Sequence, residues 1–204
     1  MNFLAHIYLS GKDEKVLIGN FMGDYVKGDS FKKYPDDVQK GILLHRKIDY
    51  FTDTHPVTRE SKNRLYPFYH KYSGIVIDIF YDYLLTLNWD KYSSVSLPDY
   101  VDEVFNILRR NYEVFPQRIR NWFPNFIRNN WLVAYSTIDG IENVLNRMSS
   151  RTSLPDFTDK AIRSLREHES EYLDEFNRFF PEIKRYVLEN YGIQTGFDEG
   201  ENAA

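Results

Sequence analysis

The stretch Ser73-Gly-Ile-Val-Ile-Asp-Ile-Phe-Tyr-Asp-Tyr-Leu-Leu-Thr-Leu-Asn-Trp89 constrains the fold more than any other. It is apolar or aromatic nearly all round, and a helix hydrophobic on every side belongs in an interior. Other helices must therefore surround it. Its only charges, Asp78 and Asp82, fall four residues apart, where like charges repel, and no lysine or arginine within the stretch compensates them. Burying a carboxylate without a partner is costly. Two arrangements relieve the conflict: the acids share a cation, or they cap and salt-bridge to neighbouring helices.

The rest of the chain supplies those neighbours. Ser10 or Asp13 is positioned to cap a helix through Val16–Val26. Tyr34-Pro35 turns into a second helix, which Thr54-His55-Pro56 ends, since a residue before proline disfavours the α region. Further helical patterns run from Thr58 to Tyr72, from Pro98 to near Val114, and from Pro116, with Pro124 expected to kink or split the last. Ser136–Ser150 reads as a capped amphipathic helix, and Thr158 to Tyr191 as a long charged one broken at Pro181. Convincing period-two alternation is absent, so the expected fold is all-α. No linker divides the chain, and 204 residues suit one core. The reading is a single-domain helical bundle over 1–191, followed by a flexible acidic tail, 192–204.

Gly41-Ile-Leu-Leu-His-Arg-Lys-Ile-Asp-Tyr-Phe-Thr-Asp53 carries the chemistry. As a helix it sets His45, Asp49 and Asp53 on one stripe, beside the apolar stripe of Leu44, Ile48 and Phe51. The acids and the imidazole either share a divalent cation or lie on a border served by Arg46, Lys47 and solvent. Asn2, His6 and Ser10 repeat at the same spacing in an apolar opening, and so do Asn20 and Asp24, flanked by Gly19 and Gly23, which leave room for close approach. Together His6, Asp24, His45, Asp49, Asp78 and Asp82, with Asp53 a weaker member, form a candidate metal set contributed by four helices, as helical bundles build such sites.

The chain has no cysteine, so any metal must be held by His, Asp, Glu or Asn, a donor set suited to manganese, iron, magnesium or zinc. Such ions clamp phosphoryl groups and lower the pKa of bound water. The residues alone thus reach a metallo-phosphohydrolase and name no substrate. A net charge of −4 argues against general nucleic-acid binding. The uncharged opening is too short to span a membrane and lacks a basic leader, so a soluble cytoplasmic protein is expected.

From Phe105 to Arg151 seven arginines (109, 110, 118, 120, 128, 147 and 151) face three acids, with aromatics between them. Such a segment either receives an acidic or phosphorylated partner or is a solvated face whose arginine stems cover apolar neighbours.

Asn2-Phe-Leu-Ala-His6, Gly19-Asn20, Gly23-Asp24, Lys27-Gly28, Gly41-Ile42, His45-Arg46, Ile48-Asp49, Thr52-Asp53, the Asp78/Asp82 pair and Val144-Leu145 with Arg147-Met148, in this order, resemble the acyl carrier protein phosphodiesterase family from residue 1 to about residue 180. The resemblance implies a divergent HD-type phosphohydrolase fold. It implies manganese-favoured hydrolysis, with magnesium or iron as alternatives, of the phosphodiester joining 4′-phosphopantetheine to a serine of holo acyl carrier protein. It makes Asp24, His45, Asp49 and Asp78 the leading metal or catalytic groups, with His6 and Asp82 close behind. Asp24 or Asp49 would orient or deprotonate water, and Arg46 would hold the phosphate. Because acyl carrier proteins are strongly acidic, it assigns Arg109, Arg110, Arg118, Arg120, Arg147 and Arg151 to docking. Two features depart from what the resemblance implies: an ordinary HD protein has an acid directly after its histidine, whereas here Arg46 follows His45 and the acid comes at Asp49, and Tyr83 stands where the family frequently has a histidine. A hydrolase of a small phosphorylated metabolite or nucleotide, and a non-catalytic helical module for an acidic partner, are the alternatives.

Overall fold

A computed structural model describes residues 1–197. Among them are twelve α-helices and no strand: α1 Phe3–Tyr8, α2 Glu14–Phe21, α3 Asp36–Thr54, α4 Pro56–Tyr69, α5 Ser73–Leu87, α6 Trp89–Tyr92, α7 Leu97–Arg110, α8 Gln117–Arg128, α9 Trp131–Ala134, α10 Ile138–Arg151, α11 Thr158–Glu167 and α12 Glu169–Tyr191. The all-α expectation holds.

The apolar α5 is the axis. It packs against α1, α4, α10 and α12, and Val76, Ile77, Phe80, Tyr81, Leu84 and Leu85 are wholly buried. Facing it, α12 buries Phe176, Phe179 and Phe180, with Tyr81 against the rings of Phe176 and Phe179. Each such side chain contributes about 1.5–3 kcal/mol by leaving water. Within this core the one acid from α12, Glu175, is fully matched: Arg64 donates to both its oxygens, and Ser61 adds a third bond.

Two helices approach more closely than side chains normally allow. A Cβ added at Gly19 of α2 would stand 2.2 Å from the Val38 carbonyl oxygen, and one at Gly41 of α3 2.1 Å from that of Val16. Glycine on both sides lets the backbones touch, and this crossing sets the spacing between the residues that α2 and α3 carry.

Several boundaries differ from expectation. Asp13, not Ser10, caps α2, accepting from the Lys15 and Val16 amides. That helix stops at Phe21, and a 3-10 turn over Gly23–Tyr25 follows. Pro124 does not split α8, and Pro181 does not break α12; the break falls at His168. Each proline forfeits one helical hydrogen bond, yet buried residues on both sides (Phe123 and Phe126; Phe180 and Ile183) outweigh the loss. Of the segment expected to be a flexible tail, Ile193 is buried, the Gly196 amide donates to the Tyr8 carbonyl and Phe197 packs on Tyr100. Residues 198–204 lie outside the described part. Among the described residues no helix is long and apolar enough to cross a membrane.

Candidate metal centre

Three elements meet where α1, α2 and α3 converge. α1 brings His6, α2 brings Asn20, and α3 brings His45 and Asp49 on the stripe that its period dictates. The two imidazoles stack, centroids 4.0 Å apart and planes 18° from parallel. Gly23 makes this possible, since a Cβ there would stand 2.3 Å from Cγ of His45.

Asn20 sets the tautomers. Its Nδ2 donates to the His6 carbonyl (2.8 Å) and to Ser10 Oγ (2.9 Å), so its Oδ1 must face the rings. That oxygen accepts from His6 Nδ1 at 2.8 Å and from His45 Nδ1 at 3.1 Å. An amide oxygen only accepts, so both Nδ1 atoms carry hydrogen and both Nε2 lone pairs face the same point.

At that point lies Asp49. Its Oδ1 is 3.0 Å from His6 Nε2, and its Oδ2 is 3.2 Å from His45 Nε2. Asp24, on the 3-10 turn, adds Oδ1 at 3.6 Å from His45 Nε2. Lone pairs and carboxylates converging in this way need a positive charge between them. In the metal-free protein a proton serves. Burial disfavours the His45 cation, but Asp24 and Asp49 outweigh it and push the imidazole up to about 9. Burial and the neighbouring His45 cation push His6 down to about 4. For Asp49, burial works against ionisation, yet the adjoining His45 and His6 imidazoles hold it well below the usual carboxylate range.

The proton serves poorly, however. His45 Nε2 is buried and finds no hydrogen-bond partner among the described residues: its approach to Asp49 at 3.2 Å is badly aligned, and Asp24 at 3.6 Å is too far. An orphaned buried nitrogen whose lone pair faces two carboxylates fits a divalent ion better than a proton. Ligand atoms of His6, His45 and Asp49 all lie within 4.8 Å of one another.

The other expected residues have different surroundings. Asp24 is at the mouth, its side chain 67% exposed, because α2 ends three residues before it. Asp78 Oδ1 accepts from the Met1 ammonium at 2.7 Å, and that ammonium stands 3.9 Å from Asp49 Oδ1. Asp82 is fully buried and accepts from the Leu4 (2.8 Å) and Ala5 (3.2 Å) amides, capping α1 and so fixing the helix that carries His6. Burial pushes its carboxyl up to about 7. Asp53 pairs with Lys62 at 2.8 Å. Arg46 Nη2 donates to the Val26 and Gly28 carbonyls at 2.9 and 2.8 Å, clasping the loop beyond Asp24. Tyr83 donates to Glu169 of α12.

Among the arginines, Arg110 is paired with Glu14 and Glu103, and Arg120 with Glu113. Arg109 bonds Asn106 on its own helix. Arg118 lies over the ring of Tyr25, Arg147 over that of Trp131, and Arg151 is exposed.

The acyl carrier protein phosphodiesterase family model matches residues 1–183. This chain belongs to that family. It is 31% identical to the acyl carrier protein phosphodiesterase of Photorhabdus laumondii over 190 residues, covering 93% of this chain and 94% of the relative. The enzyme of that name from an Enterobacter species is 32% identical over 184 residues (90% and 95%), and that from Yersinia pestis 28% over 186 (91% and 96%). No solved structure matches the chain significantly. In this acyl carrier protein phosphodiesterase homologue Asn20 and Gly23, noted in the sequence for their spacing and for room for close approach, were left out of the candidate metal set. The available signal for Asn20 was an amide amid apolar neighbours beside a glycine.

Proposed function

We propose that this chain is a metal-dependent phosphodiesterase that releases 4′-phosphopantetheine from holo acyl carrier protein, leaving the apo form. The observation that carries the reading is the convergence of His6, His45 and Asp49 at one buried point in a member of this family.

His6 Nε2, His45 Nε2 and Asp49 would hold the ion, with Asp24 at the exposed side. A divalent ion, manganese by the family resemblance and otherwise magnesium or iron, supplies charge neutralisation for phosphoryl oxygens and a lowered pKa for bound water. Asn20 keeps both Nδ1 atoms protonated and both Nε2 atoms free to bind. Asp24 reaches solvent and touches His45, the position from which a carboxylate orients an attacking water or accepts its proton. Hydrolysis forms a bond from water oxygen to phosphorus and breaks that from phosphorus to the serine oxygen, which takes up a proton as it leaves. Arg46 holds the Asp24 loop with Nη2, leaving its remaining N–H groups for the substrate phosphate. Of the arginines expected to dock an acidic protein substrate, Arg110 and Arg120 already have their charges matched by Glu14, Glu103 and Glu113, and Arg118, beside Tyr25, is the member whose neighbour adjoins Asp24.

The test is incubation of holo acyl carrier protein with the purified protein and manganese chloride, followed by mass spectrometry. Loss of the phosphopantetheine mass is expected, and its abolition by EDTA. Intact holo protein after incubation with folded, manganese-loaded protein overturns the reading.

A further inference from the structure

The scissile bond of such a substrate joins phosphorus to a serine side chain, so the carrier cannot stand off at the far end of its prosthetic arm. Its folded body must lie within about a side chain's length of Asp49, and the docking surface must border the metal centre.

On α3 the rows next to Asp49 are exposed and unusual. Helical spacing puts Arg46 and Tyr50 in the first row outward from Asp49, and Leu43 and Lys47 in the next, with Lys40 extending it. Tyr50 is 68% exposed and Leu43 37%, two of the large apolar side chains that the fold leaves in water. Lys40 and Lys47 are exposed, and among the described residues neither has a carboxylate within ion-pair distance. By contrast, Arg110 and Arg120 have their charges already matched.

Resting on the functional reading above, we infer that the stripe Lys40, Leu43, Lys47 and Tyr50 is the surface on which the acidic carrier protein docks. Leu43 and Tyr50 supply the apolar centre of a small interface, and the lysines supply a rim complementary to the carrier's carboxylates. The stripe is continuous with the metal centre through Arg46 and Asp49, so a carrier seated there brings its serine to the ion.

The experiment compares the parent with Leu43→Ser/Tyr50→Ala and with Lys40→Glu/Lys47→Glu, all exposed positions, after circular dichroism has established equal helicity. Three quantities are measured with manganese present: KM and kcat on holo carrier protein, the rate on bis(p-nitrophenyl) phosphate, and the Kd for apo carrier protein, which lacks the arm. Each double variant should raise KM and Kd about tenfold, the loss expected when interface anchors are removed, with kcat and small-diester turnover unchanged. The lysine variant should also lose the salt dependence of association. A parent that releases phosphopantetheine while the variants keep its KM overturns the docking surface and leaves the functional reading standing. A parent that neither binds carrier protein nor releases the arm overturns both. If the parent forms a dimer that Leu43→Ser/Tyr50→Ala dissociates, with no change in carrier affinity, the stripe is covered by a second copy and the inference falls.

Discussion

His6 and His45 lie face to face, 4.0 Å between ring centroids, and share one acceptor, the Asn20 side-chain oxygen. Two imidazoles from different helices thus present matching nitrogens to one carboxylate, and a neutral amide holds both.

Removing that amide separates positioning from ligation. Asn20→Ala should lower manganese affinity about 10–100-fold, the usual loss when the groups behind metal ligands are removed. It should also cost about 1–3 kcal/mol of stability by stranding buried hydrogen-bonding groups. Titration calorimetry with manganese and chemical denaturation measure the two effects; unchanged affinity would remove Asn20 from the site.

Gly23 and Gly19 test the packing around the cluster. In Gly23→Ala the new methyl meets Cβ and Cγ of His45, so the ring must leave its place beside His6 and turnover should fall more than tenfold. In Gly19→Ala the methyl meets the backbone of α3, and about 1–3 kcal/mol or more of stability should go. Paired activity assays and thermal melts distinguish the two. Turnover of Gly23→Ala near the parent rate contradicts the assignment.

Asp82 acts through α1. Asp82→Ala strips the cap from the Leu4 and Ala5 amides, which should cost about 0.5–2 kcal/mol and loosen the helix that presents His6. Metal affinity should weaken in parallel. Full stability with undiminished manganese binding would show that α1 holds itself in place.

The pH response follows from His45. Its pKa in the metal-free fold, about 9, lies above the ordinary 6.5, so the folded state binds the proton more tightly than the unfolded one. The resulting stability is fully present below about pH 6.5 and drains away as pH rises through about 9. Thermal melts in EDTA should show the gap between parent and His45→Gln closing across that window. Manganese displaces the same proton, so its affinity should rise with pH over that range. A pH-independent gap sinks the assignment.

Helical periodicity made much of this legible. The spacing of His45 and Asp49, the apolar opening around His6, and an α5 too hydrophobic to sit anywhere but inside all survive in the fold. Periodicity gives the face of a helix but not its neighbour. Asp82 therefore looked like a ligand from sequence, whereas in the fold it meets the free amides of α1, a contact 77–78 residues away along the chain. Asp24 looked buried because α2 was carried to Val26, and the turn after Phe21 moved it to the mouth. Asn20 was noted for its spacing but given no role, because an uncharged amide raises no conflict when buried alone; its role exists only once two rings converge on it. The two prolines misled for a related reason, since local propensity says nothing about the aromatic packing that overrides it.

Main-chain contact between α2 and α3 has a consequence for how this protein can change. Where side chains separate two helices, their distance drifts as residues are exchanged. At Gly19 and Gly41 nothing is left to exchange, and the gap is fixed by the thickness of the polypeptide itself. The dimensions of the metal cradle are thereby insulated from the surrounding hydrophobic interior, which homologues and engineers are free to rebuild without retuning it.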